Sequence, residues 1–292
     1  GNLGFGKNFK IAGQTLTILA SASLSNDYQN IYNAFYKTLE ATGNTQSNFN
    51  YDSYEQQLKL AALGYVGTTL RHNDRIGYTF FYTRDANDTY QLREGMDAEG
   101  HHLVGSNNVT HIYSLQSHQL SGLHEFLSDE LELDWGASYG QTSSDEPDRR
   151  QVMYVKDGET LKLFKLNRQE TMHYFGYLNE QEWNGRVSLK WRWNEKSFLK
   201  VGFNYKDKAR DYMGTRFYYN LNKINPPISN PYDTDEFLNM TNIANGDVVI
   251  ERKKQPKDSY LAGNRIFAGY ILTDWYIMDN LLLNLGLRYE IS

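Results

Sequence analysis

The feature that most constrains this chain is a two-residue alternation of apolar and polar side chains that recurs in many segments. Between positions 281 and 291, leucine, tyrosine and isoleucine occupy the odd positions, and most even positions carry asparagine, glycine or a charge. Successive side chains of a β-strand point to opposite faces, so strict alternation indicates a strand whose faces meet different environments. The pattern recurs at 16–24, 58–66, 76–83, 131–140, 186–193, 199–206 and 265–277. The stretch 111–126 alternates poorly and its faces stay unassigned.

The connections between these segments form a second alternation. The spacing predicts about ten strands in five hairpins, with tight turns near Gly13-Gln14, 71–74, 127–130, 194–197 and 278–280. The connections between hairpins are long, at roughly 25–57, 85–110, 141–170 and 207–259. Short turns at one end and long loops at the other are typical of outer-membrane barrels, in which the loops face outward.

Charge density predicts which face of the strands meets lipid. The polar face carries Glu132, Asp134, Lys190, Arg192, Lys200, Asn284, Arg288 and Glu290. A small soluble barrel fills its interior with apolar side chains, and unpaired charges in such a core are costly. We therefore predict that these eight residues face a lumen and that the apolar face meets lipid. The fold class is all-β, an antiparallel up-and-down transmembrane β-barrel.

Composition supports this interpretation and excludes other classes. No segment approaches the roughly 20 consecutive apolar residues of a membrane helix, whereas 23 Tyr, 14 Phe and 5 Trp suit the aromatic girdles of a membrane barrel. The absence of cysteine excludes disulfides and cysteine-ligated zinc or iron–sulfur sites. A net charge of -5 without a basic block argues against nucleic acid as a partner. We expect no cofactor.

One hairpin carries a family resemblance. Residues 265–274 read RIFAGYILTD, and after a short turn residues 283–290 read LNLGLRYE. This resembles a hairpin that recurs in the barrels of TonB-dependent outer-membrane receptors, where an "aGY…td" strand precedes "l.lnlGlRyE". The stretch 145–150, with Tyr174-Phe175 further along, resembles the barrel middle of the large Bacteroidetes-type receptors.

The resemblance implies a location, an activity and partners. Such receptors lie in the outer membrane of Gram-negative bacteria, and their barrels of about 22 strands enclose a plug. They import bulky nutrients such as glycans, iron chelates, cobalamin or peptides, driven by TonB through the plug, without chemistry on the ligand. A surface lipoprotein is a further candidate partner. Because residues 1–292 hold about ten strands, no plug and no terminal aromatic residue, we expect them to be part of such a barrel, with the plug and remaining strands absent.

Aromatic and basic residues between 210 and 232 are the predicted ligand-binding loop. Aromatic faces flanked by arginine bind sugar rings or anionic chelates. The alternative is that the strands extend above the membrane and the tyrosines pack between loops. The candidates are Arg210, Tyr212, Arg216, Phe217, Tyr218, Tyr219 and Tyr232.

Metal and catalytic sites are not expected. The acidic stretches at 85–88 and 145–148 lack the spacing of a calcium loop, and the adjacent His101 and His102 point apart on an extended chain. Two other functions stay open: a complete ten-stranded protease resembling the omptins, with catalytic Asp and His on its rim, and a soluble β-rich carbohydrate-binding or adhesin module.

Overall fold

The computed structural model describes residues 1–70, 74–127, 130–165, 171–221, 228–278 and 280–292, most of them in β-strands. The strands in these ranges are β1 Asn2–Ile11, β2 Gln14–Leu39, β3 Thr45–Thr69, β4 Arg75–Met96, β5 His102–Phe126, β6 Leu131–Asp157, β7 Thr160–Leu163, β8 Met172–Arg192, β9 Phe198–Leu221, β10 Val248–Arg252, β11 Ser259–Met278 and β12 Leu281–Ile291. One short helix, α1 Met240–Ala244, and 3₁₀ turns at Thr234–Glu236 and Pro256–Asp258 lie between β9 and β11. None of the described helices has the length and apolarity needed to cross a bilayer.

The strands form one antiparallel sheet in up-and-down order, which confirms the predicted all-β fold class. The path runs β1-β2-β3-β4-β5-β6-β8-β9-β11-β12, while β7 pairs with β6 and β10 with β9. The first and last strands of this path, β1 and β12, each pair with one described neighbour.

Three of the predicted long loops are wrong over most of their length. The strands β2 and β3 continue until only residues 40–44 separate them, and β4 and β5 are separated by residues 97–101. In the predicted loop 141–170, β6 continues to Asp157. The physical reason is that alternation fades where both faces of a strand meet similar surroundings, whether water or packed protein, although backbone pairing continues. The fourth, 207–259, is irregular only after β9 ends at Leu221.

The predicted short turns fare better. Residues 12 and 13 connect β1 to β2 with positive φ values of 50° and 80°. Between β8 and β9, the Asn194 side chain accepts hydrogen bonds from the backbone N–H groups of Lys196 and Ser197. The turns predicted at 71–74, 127–130 and 278–280 fall partly on residues outside the described ranges.

Strand register places all eight predicted lumen residues on one face of the sheet, here called the polar face. Glu132 lies opposite Lys190, which lies opposite Lys200. Through β11, the same row of partners continues to the even-numbered residues of β12. Register also resolves β5, where Gln119 lies opposite Ser138 and so faces the polar side.

The opposite, apolar face carries a band of exposed large hydrophobic side chains near the short turns. We call it the apolar belt, and its members have between 42% and 71% of their surface exposed: Leu120, Val187, Leu189, Trp191, Val201, Phe203, Phe267, Ile271, Trp275, Leu285 and Leu287.

Beyond the belt, the long strands and the segments attached to them form a distal region made of residues 25–57, 84–115, 141–165, 171–181, 208–221 and 228–259. Here both faces of the sheet carry a buried apolar cluster, because neighbouring residues point in opposite directions. On the polar side, Leu103 and Met153 are fully buried with Phe49 and Phe164. On the other side, Val104, Tyr154, Leu163 and Val248 pack with Ile228 and Phe237 from the segment between β9 and β10. The distal region is therefore a packed wall.

Aromatic rings lie over glycines on neighbouring strands, and one such pair gives a test of the packing. A Cβ atom added to Gly202 would lie 2.3 Å from the ring of its register partner Tyr270. We expect Gly202→Ala to lower the free energy of unfolding by about 1–3 kcal/mol through overpacking. In a Tyr270→Ala background most of that loss should disappear.

Denaturant unfolding of the detergent-solubilised protein, followed by tryptophan fluorescence, measures this cycle. Gly185→Ala is the control, because a Cβ there meets no atom within 4 Å. Equal losses for Gly202→Ala in both backgrounds would contradict the packing described.

Candidate ligand-binding face

The predicted ligand-binding residues do not form one loop. Six of the seven, from Arg210 to Tyr219, lie in β9, and only Tyr232 lies in the irregular segment after it. Of the alternative interpretation, the part that places these residues in a continuing strand is confirmed. Because β9 is extended, its even and odd positions face opposite ways.

The two faces separate the candidates. Phe217 packs edge-on against Phe175 on the apolar side, and Tyr219 packs against the buried cluster around Tyr154. Tyr232 is half exposed. Three others lie on the polar side. Tyr212 and Arg216 belong to one network of side chains, and Arg210 belongs to a row of ion pairs beside it. The fourth polar-side candidate, Tyr218, has the ammonium of Lys253 4.4 Å from its ring centroid.

We call the network of Arg149, Tyr174, Tyr212 and Arg216 the tyrosine–arginine cluster. The two tyrosine hydroxyls share a hydrogen bond of 2.6 Å. The guanidinium groups of Arg216 and Arg149 lie 5.0 and 5.6 Å from the centroid of the Tyr174 ring. Cations at this distance from an aromatic face are attracted by its quadrupole. Gly176 makes room, because a Cβ there would lie 2.6 Å from the Tyr174 hydroxyl.

Carboxylates neutralise both arginines of the cluster. Glu146 contacts Arg149 at 2.5 Å and lies 3.0 Å from His111 Nε2. Arg216 donates to the buried Asp258 at 3.1 Å. Burial and the hydrogen bond with Tyr212 raise the pKa of Tyr174, so its hydroxyl stays protonated at neutral pH. The cluster therefore presents aromatic faces and neutral hydroxyls, with its cations already paired.

Arg210 belongs to a separate row of ion pairs. Its guanidinium lies 2.5 Å from Glu180, which also accepts a 2.7 Å hydrogen bond from Lys208. Lys208 in turn lies 3.1 Å from Glu182. The hydrogen bond from Lys208 lowers the pKa of Glu180, and the same bond raises the pKa of Lys208. Arg210 is thus held by the sheet itself and is a weaker candidate for ligand contact.

The polar face carries concavities both at the level of the apolar belt and in the distal region. The first, of about 460 Å³, lies at the level of the apolar belt and is lined by Asn184, Arg186, Asn204, Lys206, Arg288 and Glu290 among others. It includes two of the predicted lumen residues, and its charges suit contact with water or a polar protein segment.

The second concavity lies in the distal region, on residues that sequence reasoning missed. It measures about 340 Å³ and is lined by Tyr36, Phe49, Tyr51, Gln91 and Arg93. All five fall in segments that were predicted to be loops, so nothing in the local pattern indicated that they share a face. Register alone brings them together, since Tyr36 lies opposite Phe49 and Tyr51 lies opposite Arg93.

No protein-family model, curated protein or solved structure matches this chain. What the polar face can bind must therefore be inferred from its own residues.

The histidines and acidic residues at the β4–β5 hairpin tip are explained by the turn. Asp97, Glu99 and His101 are close enough together to share a metal ion. The Asp97 carboxylate, however, accepts the backbone N–H groups of Glu99 at 3.0 Å and His101 at 2.8 Å, which fixes the turn. His102 points away to Glu94, at 3.0 Å. Asp97 Oδ1 thus holds the backbone of the turn, and Oδ2 lies 3.0 Å from His101 Nδ1.

The Glu180 ion pairs give a pH prediction. A carboxylate whose pKa falls on folding contributes stability above its unfolded pKa, near 4.5, and that contribution is lost as the pH falls through the lower folded pKa. We expect Glu180→Gln to lower the free energy of unfolding at pH 7 and to have a smaller effect once the pH falls below that window. Denaturant unfolding across pH measures both, and Glu195→Gln, at an exposed turn position, is the control. An unchanged difference between wild type and Glu180→Gln at all pH values would refute this assignment.

Proposed function

We propose that this chain is the barrel portion of an outer-membrane uptake receptor of a Gram-negative bacterium, similar to the TonB-dependent receptors. The polar face lines the lumen, and the distal region receives a bulky ligand such as a glycan, iron chelate, cobalamin or peptide outside the cell. TonB energises import through a plug domain beyond this chain, and the ligand is moved without chemical change.

The observation that carries the proposal is the apolar belt. Soluble monomers rarely expose large contiguous apolar patches, whereas a lipid-facing barrel wall requires one. Along β11 the belt runs from Phe267 to Trp275, a span that matches the roughly 9–11 residues that a tilted strand needs to cross a bilayer. A soluble carbohydrate-binding or adhesin module would leave this belt in water.

Aromatic residues at the two edges of the belt support a bilayer orientation. Near the short turns, the rings of Trp191 and Trp193 lie 5.8 Å apart, and Trp275 is half exposed. At the other edge, the rings of Tyr139 and Trp183 lie 4.6 Å apart. Such pairs suit the two headgroup levels, where an apolar ring body and a polar tip are both satisfied.

The length of the strands favours a receptor over a simple pore. β6 has 27 residues, of which a bilayer crossing uses about 10. The remaining residues, at about 3.3 Å each, extend roughly 50 Å beyond the belt. Because the distal region is packed on both faces, it offers a stable wall on which a large ligand can bind.

The ion pairs of the polar face suit a wet or plugged lumen. Arg192 lies 2.5 Å from Glu132, and Arg186 lies 3.4 Å from Asp134. In a dry core such pairs would bear a large desolvation cost, which water or a polar plug removes.

A pair of adjacent residues on β5 tests the orientation of the sheet. Leu120 lies on the apolar belt, and Gln119 is exposed on the polar face. An arginine on the lipid side costs about 2–4 kcal/mol near the bilayer midplane, whereas lumen positions tolerate charge. We expect Leu120→Arg to reduce membrane insertion and to lower the free energy of unfolding in lipid by about 2–4 kcal/mol. Gln119→Arg should have little effect on either quantity.

Insertion is measured by outer-membrane fractionation, and stability by denaturant unfolding in lipid vesicles. Equal behaviour of the two arginine variants would count against a lipid-facing belt. So would a native protein that stays monomeric and folded in buffer without detergent or lipid.

Uptake is tested in cells that carry or lack the gene, with labelled cyanocobalamin, ferric citrate, an oligosaccharide mixture and a peptide digest as probes. We expect uptake of one of these to require both this gene and TonB. Gene-dependent peptide cleavage that is lost on substitution of Asp or His residues would instead favour the protease alternative.

A further inference from the structure

A backbone irregularity builds the distal pocket lined by Tyr36, Phe49, Tyr51, Gln91 and Arg93. Within β2 the register shifts between Ile31 and Ala34, where Asn33 has a φ of 53°. The Asn33 N–H donates to Asp52 Oδ1 at 2.8 Å and so holds the bulge. Because one extra residue reverses the faces of the strand beyond it, Tyr36 turns to the polar side and joins the pocket.

Arg93 carries the charge of the pocket, and the described part of the chain places no carboxylate against it. Arg93 Nη2 donates to Gln151 Oε1 at 2.7 Å, and the Arg93 guanidinium lies 5.9 Å from the Phe49 ring centroid. Its Nε is shielded from solvent and has no hydrogen-bond partner. Across the described ranges, no carboxylate lies within ion-pair distance of this guanidinium, in contrast to Arg149, Arg210 and Arg216.

Such a cation favours an anion from outside. Removing a guanidinium from water without a counter-charge is costly, and a bound anion would offset that cost. Burial lowers the pKa of Arg93 to about 10, so the group is still cationic at neutral pH. The side chain is only partly buried, and ligand can reach it through the pocket.

The shape and lining of the pocket restrict the kind of anion that would fit it. Arginine's planar fork matches a carboxylate in two parallel hydrogen bonds. Tyr36 and Tyr51 add aromatic faces, against which a flat ring or the apolar face of a sugar packs. Phe49 also lines the pocket, although its side chain is buried in the polar-side cluster. A volume of about 340 Å³ suits one ring-sized group.

We propose that this pocket binds a carboxylate carried on a ring, with Arg93 holding the carboxylate and Tyr36 and Tyr51 packing against the ring. The inference rests on the proposed uptake function and specifies part of its ligand. An acidic sugar and an aryl acid share this chemistry, and the binding experiment separates them.

Binding is measured by isothermal titration on the full-length protein in detergent micelles, with glucuronate, benzoate, glucose and benzamide as probes. We expect one of the two acids to bind and its neutral counterpart to bind about tenfold or more weakly. Arg93→Gln should weaken binding of that acid by a similar factor. Arg84→Gln removes an exposed arginine from the opposite face of the same strand and should leave binding unchanged.

The proposal is overturned if neither acid binds, if the neutral counterpart binds as tightly as the acid, or if Arg93→Gln binds the acid as tightly as wild type does. A stability measurement on Arg93→Gln and a second variant, Tyr36→Ala, guard against misfolding as an explanation. Arg93→Gln removes an unbalanced charge and should not lower the denaturant midpoint. Tyr36→Ala changes a largely exposed side chain, and it should weaken binding of the acid and of its neutral counterpart by the same factor. Unchanged binding by this variant would also overturn the proposal.

Failure of this inference and failure of the uptake function are distinguishable. Titration needs no membrane energy and no TonB. Arg93-dependent binding without any TonB-dependent uptake would leave the pocket in place and remove the transport proposal. TonB-dependent uptake of a probe that does not depend on Arg93 would do the reverse.

Discussion

Continuous antiparallel backbone pairing is the constraint on which the rest of this structure depends. The pairing of β5 with β6 runs from Leu103 and Val155 at the distal end to Phe126 and Leu131 beside the short turn. Wherever water is excluded, every backbone N–H and C=O group must find a protein partner, and the same ladder of hydrogen bonds carries each strand on into the distal region. Since the ladder is unbroken over most of each strand, the faces set in the apolar belt persist into the distal region.

Where the faces change, a bulge is responsible, and both the distal pocket and the tyrosine–arginine cluster depend on one. The shift in β2 brings Tyr36 onto the polar side. In β6 the register shifts again between Glu146 and Arg149, so that Arg149 reaches the polar side beside Tyr174. A single inserted residue reverses every side chain beyond it, which makes a bulge an economical way to place an aromatic or a cation on a surface that alternation alone would deny it.

The arginines of the polar side fall into two kinds. Arg149, Arg210 and Arg216 lie against carboxylates, which keeps their charge local and ties strands β6, β8, β9 and the turn before β11 together. Arg93 lies against an amide and an aromatic ring. A paired cation adds little attraction for an incoming anion, whereas an unpaired and partly desolvated one adds much more. This contrast separates residues that stabilise the wall from the residue that is proposed to select a ligand.

The sequence by itself determined the fold class, the up-and-down order, the turn at Asn194–Ser197 and the common face of Glu132, Lys190 and Lys200, because a strand whose two faces meet different environments has a two-residue period. It did not predict the distal strands, where water or packing on both faces removes that period. Only the tertiary structure decided that Arg210, Tyr212 and Arg216 lie on a strand, that Phe217 and Tyr219 face away from them, and that Tyr36, Phe49 and Arg93 meet. Such contacts depend on register and bulges across strands, and these are set by pairing between segments far apart in the chain.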